Sequence, residues 1–364
     1  MKNATLTTVR RKASAALAKL PEISTKYGPG IYGKSITLPS EVSSKSSFKF
    51  KAKNAKVHRD FSKETLSLIE PYANMDKHLL DAFHFANLTD VLVIDAQSGK
   101  ESEVEVECNL EDENHVSQII IITGKNSNSK ISIVEKSSSK LNFHSSQIFL
   151  IANANSQVNL TVIQNISQDA VQVCVKKLIC KNESRVTLNE LATGTSNTYL
   201  RTKTYLQEPN ASCEIYTTSI TNSNEIVDAK VTAVHNASDS QSRLYSKAVV
   251  MDESKNIYRG NVIIPQNMRN CDGLQKQEVL LLSNKANAAA VPNLEISNNE
   301  VKCSHSSSIT SLNEDKLFYL QSRGYSELEA KKLALTSFLN SSLQKMPLSM
   351  QEIAREIIEK RVKK

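Results

Sequence analysis

Residues 129–188 read SKISIVEKSSSKLNFHSSQIFLIANANSQVNLTVIQNISQDAVQVCVKKLICKNESRVTL. A serine, one residue, then an apolar–x–apolar pair recurs here. It occurs at Ser129 with Ile131 and Ile133, at Ser156 with Val158 and Leu160, and at Ser184 with Val186 and Leu188. The pattern returns at Ser212, where Cys213 and Glu214 precede Ile215 and the phase is off by one. Steps of 27, 28 and 28 residues separate these four serines, and one further step of 28 lands on Ser240, inside SDSQSRLY. No helical period lies between the strands, which argues against βαβ units. A constant step predicts rungs of a β-solenoid or of two stacked sheets, each rung burying its apolar side chains against the next. An ordinary antiparallel sandwich is the alternative, and the even rung length favours the solenoid. Asn and Ser suit the corners, because Asn tolerates left-handed backbone and both satisfy nearby backbone groups.

The same texture extends over a β core at residues 90–310. Short runs alternate apolar and polar and stop at Asn, Ser, Asp or Gly, as in Val104–Cys108, Ile119–Ile122, Lys130–Val134, Gln157–Ile163, Arg185–Leu188 and Ser212–Tyr216. Residues 1–89 form an N-terminal helical and irregular region. An amphipathic helix is expected up to Pro21, then an irregular arm to residue 60, broken at Gly28, Pro29, Gly30, Gly33 and Pro39. Thr65–Ile69 is expected to be helical and to stop before Pro71. Asp76–Phe85 reads as a second helix with Asp76 as N-cap, and a strand starts at Asp90. Residues 311–364 turn helical again. Ser311-Leu-Asn-Glu314, Ser326-Glu-Leu-Glu329 and Ser349-Met-Gln-Glu352 each have the capping-box form, and Gly324 ends the first helix. The second helix carries Leu328, Leu335, Phe338 and Leu339, and the third carries Ile353, Ile357 and Ile358. A helical appendage on a solenoid is either a cap or a docking surface.

The 364 residues are enough for two or three domains and a sizeable core. The 45 Lys+Arg against 38 Asp+Glu give +7, which is mild for this length, and no basic cluster is interleaved with aromatics. Nucleic acid is therefore not an expected partner. Six cysteines do not make a disulfide scaffold, so the thiols are expected to be reduced in a cytoplasmic compartment. No apolar run approaches the roughly 18 residues of a membrane span. The acid-free start MKNATLTTVRRKASAALAKL has the look of a transit peptide, but an amphipathic helix is the favoured reading. No GxxxxGK[ST], GxGxxG or GxSxG element occurs, so no nucleotide is expected to bind to the chain itself, and it is not expected to be an enzyme.

The chemistry concentrates near Val301-Lys-Cys-Ser-His305. On a strand, Cys303 and His305 share one face because side chains alternate with period two. Thiol and imidazole suit iron or zinc. Without further context, however, such a pair is more often structural than ligating, since free Cys packs as a small hydrophobe.

Residues 235–338 resemble the C-terminal half of the SufB/SufD family of iron–sulfur cluster assembly proteins. The matching pieces are His235; Ser246-Lys-Ala-Val249; Asp252, Ser254 and Gly260; Cys271-Asp272 with Gln275; Leu280-Leu-Leu-Ser-Asn-Lys-Ala286; Pro292-Asn-Leu-Glu-Ile296; Val301-Lys-Cys-Ser-His305; and Leu317-Phe-Tyr-Leu-Gln-Ser-Arg-Gly324. Leu80-Asp-Ala-Phe83 followed by Val91-Leu-Val93 also looks like the family's approach to its core. SufB proteins carry Lys-Cys-Gly-Ala-His where this chain has Lys285-Ala-Asn-Ala-Ala289, and a Glu where it has Ser306. Val-Lys-Cys-Ser-His is the SufD wording, although the usual SufD Gly after the His and the aromatic N-terminal pattern of many SufD chains are missing. The chain is therefore SufD-like.

The resemblance implies a mainly β fold, a right-handed parallel β-helix core with N-terminal and C-terminal helical regions. It implies a scaffold that pairs with a SufB/SufD-type chain, as homodimer or heterodimer, and docks the ABC-type ATPase SufC through its C-terminal helices. A transient iron–sulfur cluster would form at the dimer interface. His305 is then the leading candidate for iron, with Cys303 as second candidate. Leu317, Phe318, Arg323, Leu335 and Phe338 are the expected SufC-binding residues. Two other functions compete. A SufC-binding partner that never touches the cluster is suggested by Ala286 in place of the SufB cysteine. A carbohydrate-active β-helix enzyme would need clustered carboxylates, and the repeating strands show none. Cys108, Cys174, Cys180, Cys213 and Cys271 read as core, and His235 as a hydrogen-bonded structural histidine.

Overall fold

The computed structural model describes residues 4–21, 36–42, 46–89, 91–312 and 314–362. Helix α1 (Ala4–Leu17) is followed by two strands, β1 (Ser46–Lys53) and β2 (Ala55–His58), then α2 (Lys63–Ala73) and α3 (Leu79–Ala86). Sixteen strands follow, in pairs: β3 (Val91–Ala96) and β4 (Glu101–Leu110), β5 (Asn114–Ile122) and β6 (Asn128–Ser137), β7 (Phe143–Ala152) and β8 (Gln157–Asn165), β9 (Val171–Cys180) and β10 (Arg185–Thr193). The remaining pairs are β11 (Asn197–Leu206) and β12 (Ser212–Thr221), β13 (Ile226–His235) and β14 (Gln241–Val250), β15 (Lys255–Ile264) and β16 (Cys271–Leu281), β17 (Asn287–Ile296) and β18 (Val301–Ser311). Helices α4 (Glu314–Ser322), α5 (Glu327–Leu343) and α6 (Leu348–Val362) end the chain. No helix among the described residues is long and apolar enough to cross a membrane.

Even-numbered strands from β4 to β18 stack in parallel into one sheet, and odd-numbered strands from β3 to β17 into the other. Each consecutive pair is one coil, so the core is a β-solenoid of about eight turns. Its interior is built from columns. Val104, Ile131, Leu160, Leu188, Ile215 and Leu244 lie directly above one another in one sheet and are all buried. Each fully buried Leu or Ile there contributes about 1.5–3 kcal/mol relative to exposure.

The serine repeat has a local cause. Asn126, Asn155, Glu183, Asn210, Asp239 and Asn270 hold left-handed backbone at successive corners, with φ between 54° and 58°. The next residue at each corner is Ser127, Ser156, Ser184, Ala211, Ser240 or Cys271, and all are buried. The hydroxyls of Ser127, Ser184 and Ser240 each donate to the carbonyl three residues back, at 2.7 Å. Asn155 also donates to Asn126 across coils at 2.8 Å.

This geometry corrects two details of the repeat. Ser129 pairs with Val158, not with Ser156, because the structural step there is 29 residues and Ile131 stands over Leu160. A slip of two keeps every side chain on its face, so the apolar alternation could not detect it. At the fourth rung Cys213 and Ile215 stand over Val186 and Leu188, and Ala211 takes the corner that Ser212 was expected to fill.

Four further expectations change. Residues 46–58 are not an irregular arm: β1 pairs antiparallel with β4, and β2 with β3, so each sheet gains one strand at its first end. Helix α2 runs through Pro71 to Ala73, since a proline in the last turn forfeits one hydrogen bond only, and Asn74 ends it at φ 50°. Helix α3 is capped by His78, not Asp76. Ser349 lies inside the first turn of α6. By contrast, the capping box of Ser326 and Glu329 forms as expected. Residues 22–35, Asp90 and Asn313 lie outside the described residues.

The helices cover opposite faces. Phe61, Ile69, Phe83 and Phe85 of the N-terminal part pack with Val116, Phe149 and Ile151 on the odd-numbered sheet. Leu335, Leu339, Leu343, Ile357 and Ile358 of α5 and α6 cover an apolar cluster of Val134, Ile163, Leu191, Ile220, Val249 and Leu280 on the even-numbered sheet. Arg361 latches α6 to the corners, donating to Glu225 at 2.5 Å and to the Gly194 carbonyl at 2.8 Å.

Candidate functional site

The two ends of the solenoid differ. At the first the outermost strands are β1 and β2, antiparallel to their neighbours, and at the second they are β18 and β17, parallel to theirs. Their outer backbone edges meet no further strand among the described residues. Residues 304–311 of β18 are exposed throughout. Such an edge is a template for pairing with another chain.

Cys303 and His305 sit on this edge. Both lie at inward positions of β18, at the open end of interior columns. Cys303 stands over Gly273, and His305 over Gln275, which continues the column of Leu244. Along a strand their Cα atoms are roughly 6.6 Å apart. A methyl group on Gly273 would come within 3.1 Å of Cys303 Sγ and 2.9 Å of Val262, so glycine makes the room that the thiol occupies. Gln275 donates from Nε2 to the Asn293 carbonyl at 2.7 Å, tying β16 to β17 beneath the histidine. Gly260 lies against the Gln275 amide, where a side chain would collide. His305 is exposed, and Cys303 is half-buried. Burial raises the Cys303 thiol above its ordinary value, against a backbone hydrogen bond involving Gly273 that lowers it. The thiol is therefore protonated at rest, and a metal must displace its proton.

Among the described residues no group of three or more His, Cys, Asp or Glu side chains could hold a metal ion. Cys303 and His305 are two possible ligands, and a four-coordinate site would need two more.

The other cysteines are sealed. Cys108, Cys174, Cys180, Cys213 and Cys271 are all buried. Burial pushes Cys174 well up and Cys180 up to about 12. Cys174 and Cys180 do share the inward face, and the same phase carries Lys176 between them. Lys176, Glu190 and Glu135 are fully buried in the interior. Alternation gives each of them the phase of its apolar neighbours: Lys176 lies two residues from Leu178, Glu190 two from Leu188, and Glu135 two from Ile133. His235 is buried, with Ser240 and Ser242 each 2.8 Å from a ring nitrogen, and is structural. Glu295 accepts from Asn261 and Asn293.

The helical residues divide. Phe318 is 71% exposed on α4, and Tyr319, Tyr325 and Leu328 are exposed around the same α4–α5 turn. Leu317 is half-buried, and Arg323 lies over the Tyr319 ring at 5.3 Å. Leu335 corrects the expected docking set: it is fully buried against the solenoid and binds α5 to it. Phe338 is half-buried under Lys247, whose Nζ donates to the Phe338 carbonyl at 2.7 Å. The exposed surface is therefore α4 and the turn after it.

The fold is thus a two-sheeted β-solenoid with helices on both faces, and its last coil carries a thiol and an imidazole on an edge strand. Residues 107–338 match the family model described as SUF system FeS cluster assembly, SufBD core domain. The chain belongs to the SufB/SufD family, and its role lies in iron–sulfur cluster assembly. It is 28% identical over 176 residues to an iron–sulfur cluster assembly SufBD family protein of Galdieria sulphuraria, covering 48% of this chain and 80% of that one. It is 28% identical over 179 residues to the iron–sulfur cluster assembly protein SufD of Escherichia coli, covering 46% of this chain and 42% of that one. A SufBD family protein of Synechocystis is 27% identical over 196 residues, covering 54% and 43%. Apart from the Galdieria protein, the matched relatives named here are thus aligned over less than half of their own length.

Proposed function

We propose that the chain is a non-catalytic, SufD-like scaffold subunit on which a nascent iron–sulfur cluster, its cargo, is assembled. The open edge of β17 and β18 pairs with a second SufB/SufD-type chain. Cys303 and His305 supply part of the ligand set, and the partner supplies the rest. The hairpin of α4 and α5 docks the SufC-type ATPase, which carries the nucleotide chemistry. The observation that carries this reading is the thiol–imidazole pair on an unpaired sheet edge, because a second chain pairing there would bring further ligands to it. An imidazole ligates through its neutral ring nitrogen, and His305 is exposed enough to swing toward the partner. Cys303 is held in place by the room above Gly273 and loses its proton on ligation.

The test is His305→Ala and Cys303→Ala in the purified complex, with anaerobic reconstitution by iron and sulfide read by absorbance. Reduced cluster yield with intact assembly is the expected result. Full yield in both variants would assign the chain the second role, a SufC-binding partner that does not contact the cluster.

A further inference from the structure

The outer face of the odd-numbered sheet carries a basic row that neither the solenoid nor the cluster edge requires. Arg201 on β11 stands directly opposite Lys230 on β13, and Lys230 opposite Arg259 on β15. Beside this row, Lys177 on β9 stands opposite Lys203 on β11. Neighbouring strands lie about 4.8 Å apart, and like charges directly opposite one another destabilise a sheet. The nearby carboxylates are already engaged. Asp228 pairs with Arg201 at 2.9 Å and also with Arg259. Asp81 pairs with Lys177 at 2.8 Å. Glu295 accepts from the amides of Asn261 and Asn293 but keeps its charge, which acts on Lys203 and Lys230 and offsets part of the basic field.

Lys203 and Lys230 are left over. Neither reaches a carboxylate within ion-pair distance among the described residues. Lys203 is half-buried with its ammonium 4.9 Å from the Tyr205 ring centre, and Lys230 is exposed. Burial and the neighbouring cations hold both lysines below their ordinary value; Lys203 is lowered by Lys230 and Lys177, and Lys230 by Arg201 and Arg259. His78, at the start of α3, adds a buried Nδ1 with no hydrogen-bond partner. Its imidazole is lowered by burial and by Arg201, Lys177 and Lys230, which places it in the same field.

We propose that Lys203 and Lys230, flanked by Arg201 and Arg259, form a binding site for a phosphate-type oxyanion of two or more negative charges, carried on a small molecule. The arginines are fixed by Asp228 and set the frame. The two lysines, each with three rotatable donors, close on the anion. A bound dianion turns the like-charge repulsion into attraction.

The experiment titrates the full chain with inorganic pyrophosphate by calorimetry, at low and at physiological salt. Saturable binding that weakens with salt is expected. Lys203→Gln/Lys230→Gln should weaken it by about tenfold or more, a loss of about 1.4 kcal/mol or greater. The charge-matched control Lys125→Gln/Lys130→Gln, at exposed positions on the other side of the solenoid, should leave it unchanged. The thermal midpoint of Lys203→Gln/Lys230→Gln should equal or exceed that of the native chain, since repulsion is removed, so misfolding is separable from lost binding. The site is overturned by the absence of saturable binding or by equal loss in the control. Binding of a poly-glutamate peptide with none of pyrophosphate overturns it too, since that would mark an acidic protein segment as the occupant.

Discussion

Lys176 and Glu190 form an ion pair inside the solenoid, with side chains 2% and 0% exposed. Glu135 lies in the same interior, its Oε1 accepting from Ser146 at 2.5 Å, and burial raises its carboxyl above the ordinary range. One ammonium therefore faces two carboxyls, and burial disfavours the charge of Glu135 while Lys176 favours it. The effective penalty for burying each ion is several kcal/mol, so the pair is stable only while both partners are present. Lys176→Met should destabilise the fold by about 3–5 kcal/mol in urea unfolding, because it strands the Glu190 charge. Lys176→Met/Glu190→Gln should recover most of that loss. A single variant as stable as the native chain would show that the interior admits water.

Buried histidines make stability depend on pH. Burial lowers His84 and His144 to about 3 and His235 to about 4, and each ring has a serine hydroxyl at 2.8–3.0 Å. Their folded values lie below the unfolded one, so at acid pH the unfolded chain binds more protons. Stability then rises with pH across this window and is fully present above about 6.5. Each such histidine contributes a loss of up to about 1.4 kcal/mol per pH unit as pH falls from about 6.5 toward 4. Urea midpoints measured across that range should fall steadily. His144→Gln should flatten the slope by one proton.

Gly260 controls the floor of the candidate site. A methyl group there would meet Gln275 Oε1 at 2.1 Å. That amide also holds the Asn293 carbonyl of β17 and lies directly beneath His305. Gly260→Ala should cost about 1–3 kcal/mol, the usual penalty of overpacking. It should also speed hydrogen exchange in β17 and β18 more than in β7 and β9. Uniform exchange would show that Gln275 does not brace the last coil.

The sequence made the rungs legible because corners are local. An Asn or Asp with left-handed backbone and a following small residue recur wherever the chain turns, and the alternation between them sets the faces. The exact register was not legible, because a two-residue slip at Ser129 leaves the pattern unchanged. Strands β1 and β2 escaped notice although Phe48, Phe50 and Ala52 alternate with lysines up to Asn54, which turns at φ 52°. Their signal is short, and they pair with β4 and β3, 50–64 and 35–41 residues away. Lys176 and Glu190 were in phase with their apolar neighbours, but their partners lie on different strands and no local rule joins them. Cys303 and His305 were found by spacing alone. That they end interior columns, over Gly273 and Gln275, follows only from the stacking of coils.

The division among the C-terminal residues gives the final prediction. Leu335 is buried in a cluster with Ile220 and Val249, whereas Phe318 projects from α4 into solvent. Leu335→Ala removes packed methyl groups and leaves a cavity, so it should cost about 2–5 kcal/mol. Phe318→Ala touches no core and should change stability by no more than about 0.5 kcal/mol. In a pull-down with the SufC-type ATPase the order should reverse. Phe318→Ala should lose capture at native stability, since an exposed aromatic on a short helix is the kind of anchor that interfaces concentrate energy on. Leu335→Ala should lose capture only under conditions where circular dichroism shows α5 loosening. Capture that survives Phe318→Ala combined with removal of residues 314–322 would move the docking surface off α4 altogether.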